Sequence, residues 1–578
     1  MEDAKPESSK ESFRAEPNLA DYQKARESFD WKNAEKQFDW YQTGKVNMAH
    51  EAIDRHAETW RKNKVALYYI DDIRFEKYTF REMRRLSNQF ANVLKKYGIG
   101  KGDRVFTFMP RSPEVYISFF GILKVGAIPS PLFEAFMEDA VRDRVQDSEA
   151  SAILTVPQMK NRIPRKDLPS LKHTFLVDAK KRDLRKRDVD WNAEMKEASP
   201  KLDHMEWLER EDPLILHYTS GSTGKPKGVL HVQNAMVGQI MTGKWVLDLH
   251  EDDIYWCTSD PGWVTGTSYG MFAPWLNGIT NVIRGGRFNP DQWYKTIEDL
   301  EISVWYSAPT AFRLLMAAGT DKVKQYDLSS LRYICSVGEP LNPEVIRWGW
   351  EAFDGKTIHD NWWMTETGHQ LIANYPSMSV RPGSMGRPVP GVEAAIVDND
   401  GNELGPNQIG NLVIKKGWPG MMRRIWNNPE KYESYFEWGQ WFFSGDSAYM
   451  DEDGYFWFQG RIDDVIKTAG ERVGPFEVES KLVEHPAVAA AGVIGKPDLI
   501  RGSIIKAFIQ LRDGYTPSDE LKEEIRIFVK KGLAAHAQPR EIEFRDSLPV
   551  TRSGKIMRRV LKAWELGLPT GDLSTMED

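Results

Sequence analysis

Residues 80–110, FREMRRLSNQFANVLKKYGIGKGDRVFTFMP, decide the fold class. From Phe80 to Leu94 apolar residues recur at three- and four-residue spacing, the period of a helix buried along one face, and Gly98 supplies a stop. After the glycine-containing turn, RVFTF is a short run of the kind buried on both faces of a parallel sheet. The same unit returns further along: PEVYISFFGILKVG at 113–126 reads as a helix, and SAILTV at 151–156 and TFLVD at 174–178 as strands. Helices alternating with short β-branched runs predict an α/β core.

Outward from that core the texture changes twice. In GVEAAIVDNDGNELGPNQIGNLVIKK, residues 391–416, two strand-like runs flank Asn399, Asp400 and Gly401, a turn between antiparallel partners. Beyond GRIDDVIKTAGERVGP come EVESKLVEHP, AAAGVIG, IIKAFIQL, SDELKEEIRIFVKKGL and EIEFRD, a compact α+β pattern. The expected organisation is a flexible arm at 1–20, a large domain at 21–462 with a β-rich subdomain at about 391–462, and a small domain at 463–578, with the boundary at Arg461 to Asp464. FDW occurs at 29–31 and again at 38–40, too few copies for a repeat architecture.

Composition excludes several classes. Hydrophobic residues at 41% and aromatics at 12% supply a core, so wholesale disorder is out. The 77 Lys and Arg against 84 Asp and Glu leave −7, which gives no global attraction to nucleic acid or anionic membrane. Only Cys257 and Cys335 occur, excluding a disulfide framework or a four-thiolate zinc site and fitting a reducing compartment. The start is charged where a secretory signal would be apolar, and Lys124 interrupts YISFFGILKVGAIP, so a soluble cytoplasmic protein is expected.

YTSGSTGKPKG at 218–228 sets Thr219, Ser220, Ser222 and Thr223 among Gly221, Gly224 and Gly228, with Lys225 and Lys227 beside them. Glycines let backbone N–H groups turn inward on an anion, hydroxyls add donors, and ammonium groups offset phosphate charge. A Walker A loop would need Gly where Thr219 stands and Ser or Thr where Pro226 stands. The bland alternative is a flexible polar loop.

With YSAPT at 306–310, GEP at 338–340, DNWWMTETG at 360–368, SGD at 444–446, GRIDD at 460–464 and TRSGK at 551–555 following in order, the chain resembles the adenylate-forming superfamily of acyl-CoA synthetases, luciferases and adenylation domains. GWVTG at 262–266 and the pair Trp362 and Trp363 make it similar to the acetyl-CoA synthetases of the shorter bacterial type, over nearly the whole chain from about residue 20. The resemblance implies a large α/β domain, made of two α/β subdomains and a smaller β-rich one, and a small mobile α+β domain. It also implies a two-step reaction: acetate and MgATP give acetyl-adenylate and pyrophosphate, and CoA then displaces AMP.

What it implies for residues follows motif by motif. Lys555 matches the lysine that bridges carboxylate and α-phosphate, and Glu366, with Thr365 beside it, the carboxylate that holds Mg²⁺. Asp446 and Arg461 match the pair on the ribose hydroxyls; Gly338, Glu339 and Pro340 the segment against adenine; Asp360, Asn361, Trp362 and Met364 the surrounding nucleotide segment. Arg472 matches an arginine on ATP phosphate and Asp463 the hinge. Gly470, Ala469 and Lys530 align with CoA-contacting positions, and Val483, His485 and Val488 with a secondary metal position. Trp363 should close the acyl pocket, with Val264 and Thr265 opposite. Longer relatives carry an Arg-Gly-Gly-Arg stretch for the CoA nucleotide; the comparable region here is PQMKNRIPRKDLP, with Arg162 and Arg165 as basic substitutes. A lysine acetyltransferase and a deacetylase acting on Lys555 complete the expected partners.

Taken singly these residues have plainer readings. Lys555 would be a surface lysine, Glu366 a helix-start residue, Arg472 half of a surface ion pair with Glu471, His485 a loop residue before Pro486 and Trp363 ordinary core. A propionate-preferring enzyme is the nearest rival, since one methylene in an apolar pocket is worth only about 1–3 kcal/mol.

Overall fold

The computed structural model describes residues 15–219, 226–468, 471–498, 502–533, 537–551, 555–570, 573 and 576. The periodic stretch after Thr79 forms the helix Phe80–Lys96 and the strand Arg104–Phe108. Thr79 and Glu82 close a reciprocal cap at the helix start, satisfying backbone donors that would otherwise be orphaned. The strand enters a five-stranded parallel sheet in the order Ile128–Pro131, Arg104–Phe108, Ala152–Thr155, His173–Leu176 and Asp188–Asp190. A second, seven-stranded sheet runs Ile358–His359, Tyr333–Ser336, Val304–Ser307, Ile254–Cys257, Thr280–Arg284, Val65–Ile70 and Phe75–Thr79, parallel except for its last pair. Its strand ends at Ser307, Ser336 and His359 point the following segments at one region, where open α/β sheets place their ligands.

A third sheet, also of seven strands, is antiparallel and includes Asn361–Trp362, Ile372–Ala373, Ser384–Pro388, Phe456–Arg461 and Trp441–Met450. It therefore begins near residue 361 rather than at 391. The early strands escape sequence reading because two of them have only two residues, too few to show alternation. A three-stranded antiparallel sheet holds Pro213–Thr219 against Lys227–Val232, so the glycine-rich stretch connects two hairpin strands; Ser220, Gly221, Ser222, Thr223, Gly224 and Lys225 lie outside the described residues.

The last part of the chain folds around Ile466, Val478, Leu482, Val493, Ile505, Ile525 and Val529 as a separate apolar cluster. Its long strands Val488–Asp498 and Gly502–Leu511 pair antiparallel, and Glu541–Phe544 adds alongside in parallel. This part meets the large one where Asn342 Nδ2 donates to Ser480 Oγ at 2.9 Å and Arg347 faces Glu484 at 3.4 Å.

One expectation needs correction. The stretch 15–20 is not a solvated arm: Leu19 is buried, and the Asn18 backbone N–H donates to Asp248 Oδ1 at 2.8 Å. Two apolar residues, Leu19 and Ala20, between Asn18 and Asp21 give no periodic signal. Residues 1–14 lie outside the described residues. The two FDW copies anchor the same region: Phe29 meets Trp245 edge-on, Trp31 Nε1 donates to the Gly391 carbonyl at 2.9 Å, and Phe38 stacks on Trp40. Among the described residues no helix is long and apolar enough to cross a membrane.

Candidate active site

Two carboxylates from separate motifs lie buried at the meeting of the sheets. Glu366 sits on the 3₁₀ turn Thr365–Thr367, which ends in Gly368 at φ 73°. A side chain there would be strained and would strike the Gly420 carbonyl, so glycine is needed for the turn to close. Lys227, the first residue of its strand, places Nζ 2.7 Å from Glu366 Oε1, and the Tyr435 hydroxyl donates to the same oxygen at 2.9 Å. Lys227 Nζ also donates to the Tyr435 hydroxyl. Burial alone would raise the Glu366 pKa; the Lys227 charge and hydrogen bond overcome it and hold the carboxylate below its usual range.

The strand's two-residue period sets Lys227 and His231 on one face. His231 Nε2 lies 2.7 Å from the Thr365 carbonyl and Nδ1 3.0 Å from the Gly420 carbonyl, so the imidazole braces the turn that carries Glu366. Trp418 Nε1 donates to the Thr367 carbonyl at 2.9 Å, and Met364 N–H donates to Thr367 Oγ1 at 3.1 Å. Thr219, opposite Lys227 across the hairpin, has a buried hydroxyl.

Asp446 and Arg461 face each other in register on adjacent strands, with Arg461 Nη1 donating to Asp446 Oδ1 at 2.9 Å. Trp362 Nε1 donates to Asp446 Oδ2 at 2.9 Å. Here burial prevails over Arg461 and Trp362, and the Asp446 pKa stays above the usual range. Glu339 follows Gly338, whose φ of 100° turns the chain, and accepts from Thr310 N–H at 3.1 Å, from the Thr310 hydroxyl and from Arg313 at 2.9 Å. Pro340 then leads to Asn342, which also accepts from Arg313 at 3.3 Å. Asp360 is an anchor of the fold: burial pushes its pKa up to about 8 against the N–H groups of Asn361 and Leu341. Asn361 is tied to the Ser336 carbonyl at 2.7 Å and to the Tyr306 hydroxyl at 3.0 Å.

Lys555 reaches this region from the small domain. It is open to solvent, yet the protein around it and the Arg461 charge lower its pKa, while Asp446 and Glu339 act to raise it. Its loop is closed by Thr551 N–H to the Lys555 carbonyl at 2.7 Å and Lys555 N–H to Thr551 Oγ1 at 3.0 Å. Arg558, at the start of the helix Arg558–Leu566, pairs with Glu479 and lies 3.7 Å from Asp464 on the turn Ile462–Asp464.

Trp363 is half-buried against Tyr269, ring centroids 5.0 Å apart, within a cluster that includes Cys257, Tyr306 and Val337. The Thr265 carbonyl, next to Val264 on the turn Val264–Thr267, lies 4.0 Å from Cys257 Sγ and so borders the same cluster.

Other expected residues are not drawn together. Arg162 donates to the Glu134 carbonyl at 3.0 Å, and Arg165 pairs with Asp188 at 3.1 Å. The Val488 carbonyl accepts from Arg512 Nε at 3.0 Å, and His485 faces Glu524 at 3.4 Å with Phe528 against its ring. Val483 packs in the small domain's apolar cluster. Among the described residues no group of three or more His, Cys, Asp or Glu could hold a metal. Lys530 is exposed on the helix Asp519–Gly532. Ala469 and Gly470 lie outside the described residues, as do the side chains of Asp463 and Arg472.

Glu366 does fit Mg²⁺. A hard cation wants oxygen donors, and this buried carboxylate already carries a cation, the Lys227 ammonium, as a stand-in. Two residues of the cluster carry little or no sequence signal of their own: Tyr435 belongs to no motif, and His231 is marked only by the strand face it shares with Lys227.

The comparisons with known proteins agree with one another. A family described as AMP-binding enzyme matches residues 53–426, and AMP-binding enzyme C-terminal domain matches 477–555. An acetyl-coenzyme A synthetase of Bacillus subtilis (strain 168) is 67% identical over 97% of this chain and 98% of its own length. One of Methanothrix thermoacetophila is 42% identical over 92% of this chain and 85% of its own. Among solved structures, an acyl-CoA synthetase of Brucella canis superimposes with a TM-score of 0.75 at 35% identity, covering 95% of this chain and 99% of that one. The anthranilate CoA ligase AuaEII in complex with anthranoyl-AMP gives 0.82 at 33% identity, covering 90% and 97%.

Proposed function

We propose, for a chain that belongs to the AMP-binding enzyme family, the AMP-forming ligation of acetate to coenzyme A through an acetyl-adenylate. In the first step an acetate oxygen attacks the α-phosphorus of ATP and pyrophosphate leaves. In the second the CoA thiolate attacks the acetyl carbonyl and AMP leaves. The observation that carries this reading is the pair of buried carboxylates, Glu366 2.7 Å from Lys227 and Asp446 2.9 Å from both Arg461 and Trp362.

Both substrates of the first step are anions, so charge and fixed geometry matter more than a proton-transfer base. Lys555 is the residue assigned to draw carboxylate and α-phosphate together. Asp446 accepts from the ribose hydroxyls while Arg461 fixes its orientation. Gly338, Glu339 and Pro340 back the adenine, and the loop from Ser220 to Lys225 receives the phosphates. Glu366, with Thr365 beside it, would hold Mg²⁺, which when bound offsets phosphate charge. Trp363, with Val264 and Thr265 opposite, limits the acid to about two carbons. After adenylation the small domain turns about Asp463, carrying Lys555 and Arg472 away and bringing Gly470, Ala469 and Lys530 to the thiol-bearing arm of CoA. We place the enzyme in the cytoplasm, with Lys555, exposed on its loop, as the residue a lysine acetyltransferase and deacetylase would act on.

Pyrophosphate release from ATP with acetate, propionate or butyrate, with and without CoA, tests this. The expected result is release that is fastest with acetate, with thioester formed only when CoA is present. A maximum on propionate would reassign the acid, and no acid-dependent release would overturn the reading.

A further inference from the structure

Tyr435 lies on the short turn Ser434–Phe436, 69 residues from Glu366 in sequence, and is only 7% exposed. Its ring stacks on Phe442, with centroids 5.4 Å apart and planes 5° from parallel, so the hydroxyl is held where it is. That hydroxyl takes a hydrogen bond from Lys227 and gives its own to Glu366 Oε1. Lys227 Nζ is also 5.0 Å from the Tyr435 ring centroid. A tyrosine hydroxyl is neutral at ordinary pH, so it meets Glu366 as a neutral donor.

We propose that Tyr435 is a positioning residue that holds Glu366 in place while the carboxylate exchanges its cationic partner, from the Lys227 ammonium in the nucleotide-free protein to Mg²⁺ when the nucleotide arrives. The inference rests on the proposed function, because it needs a metal-bearing phosphate chain to enter this site. Lys227 and an arriving metal are both cations seeking the Glu366 carboxylate. Incoming phosphate gives the ammonium an alternative anion, freeing Glu366 at the moment the metal is delivered. In the nucleotide-free protein Glu366 Oε1 takes both Lys227 and Tyr435. Once Lys227 has turned to phosphate, the Tyr435 hydrogen bond is what spares the carboxylate the rotamer entropy of holding a metal, so it counts for more in the metal-bound state.

The test measures equilibrium ATP binding as MgCl₂ is titrated, in wild type, Tyr435→Phe, Glu366→Gln and the double variant. Phenylalanine keeps the ring on Phe442, so the fold should survive. Tyr435→Phe should raise the magnesium concentration for half-maximal enhancement of ATP binding by about tenfold, the low end for a hydrogen bond to a charged group. ATP binding without magnesium should stay within about twofold, since Lys227 remains. In the Glu366→Gln background, Tyr435→Phe should shift the magnesium midpoint no further. An unmoved midpoint in Tyr435→Phe, or the same shift with and without Glu366, overturns the inference. A wild-type protein whose ATP binding ignores magnesium overturns the parent reading and this one with it, whereas a magnesium-dependent wild type with an unmoved variant overturns this one alone.

Discussion

The two buried carboxylates of the site differ in a way that separates their tasks. Glu366 is drawn below the usual carboxylate range and Asp446 is left above it, although each has a cation within 3 Å. The Lys227 side chain is 18% exposed and the Arg461 side chain 44%. Water screens the second cation more than the first, so Arg461 offsets less of the cost of burial. The first cluster lies wholly within the large domain. The second is completed by Lys555 from the small one, so its charge balance depends on how the domains are docked. Under the proposed function the first would hold the metal throughout and the second would change between the two steps.

The largest test of that contrast removes the visiting charge. Lys555→Ala should slow acetyl-adenylate formation by about a thousandfold, as losing a preorganised donor at developing charge does. Thioester formation from supplied acetyl-adenylate should stay within a few-fold of wild type, because in the proposed cycle Lys555 has left by then. Equal loss in both half-reactions, read by separate single-turnover assays, would make the second cluster as static as the first.

Asp446→Asn should raise the KM for ATP by about thirtyfold, or about 2 kcal/mol for a charged hydrogen-bonding group, while leaving the magnesium midpoint unmoved. A shifted midpoint would mean that the two carboxylates act as one cluster.

Neither cluster reaches the carbon chain of the acid. Trp363→Gly should therefore change acid preference without changing ATP or magnesium dependence. Each newly buried methylene is worth about 0.8 kcal/mol, or roughly fourfold, so butyrate should overtake acetate in pyrophosphate release. A uniform drop across all acids would reduce Trp363 to packing.

The smallest effect is on pH. The Lys555 pKa is lowered, so its charge, present at low pH, is lost as pH rises through a value below the 10.5 of a free lysine. Adenylation should accordingly decline on the alkaline side earlier than an ordinary lysine would dictate, and Lys555→Arg should move that limb upward. The thioester step should lack the limb. A shared limb in both steps would assign it to another group.

Much of the fold and of the site is legible in the order of residues alone. The helix Phe80–Lys96 and the strands that follow declare themselves because burial on one face or both leaves a period in neighbouring residues. Glu366, Asp446, Arg461 and Lys555 stand out because they sit in motifs of fixed order. The strands Asn361–Trp362 and Ile372–Ala373 do not, because two residues are too few to show alternation, and the anchoring of Asn18 on Asp248 does not, because it depends on a partner far along the chain.

The sequence by itself determined the α/β class, the order of the motifs and the set of charged groups available for chemistry, all properties written in local spacing. Only the tertiary structure decided which charges meet: His231 on the Thr365 carbonyl across 134 residues, Trp362 on Asp446 across 84, and Tyr435 on Glu366 across 69. The reason is physical. A pKa, a metal preference or a held rotamer arises from distance, burial and screening between groups, and none of these is a property of a residue alone.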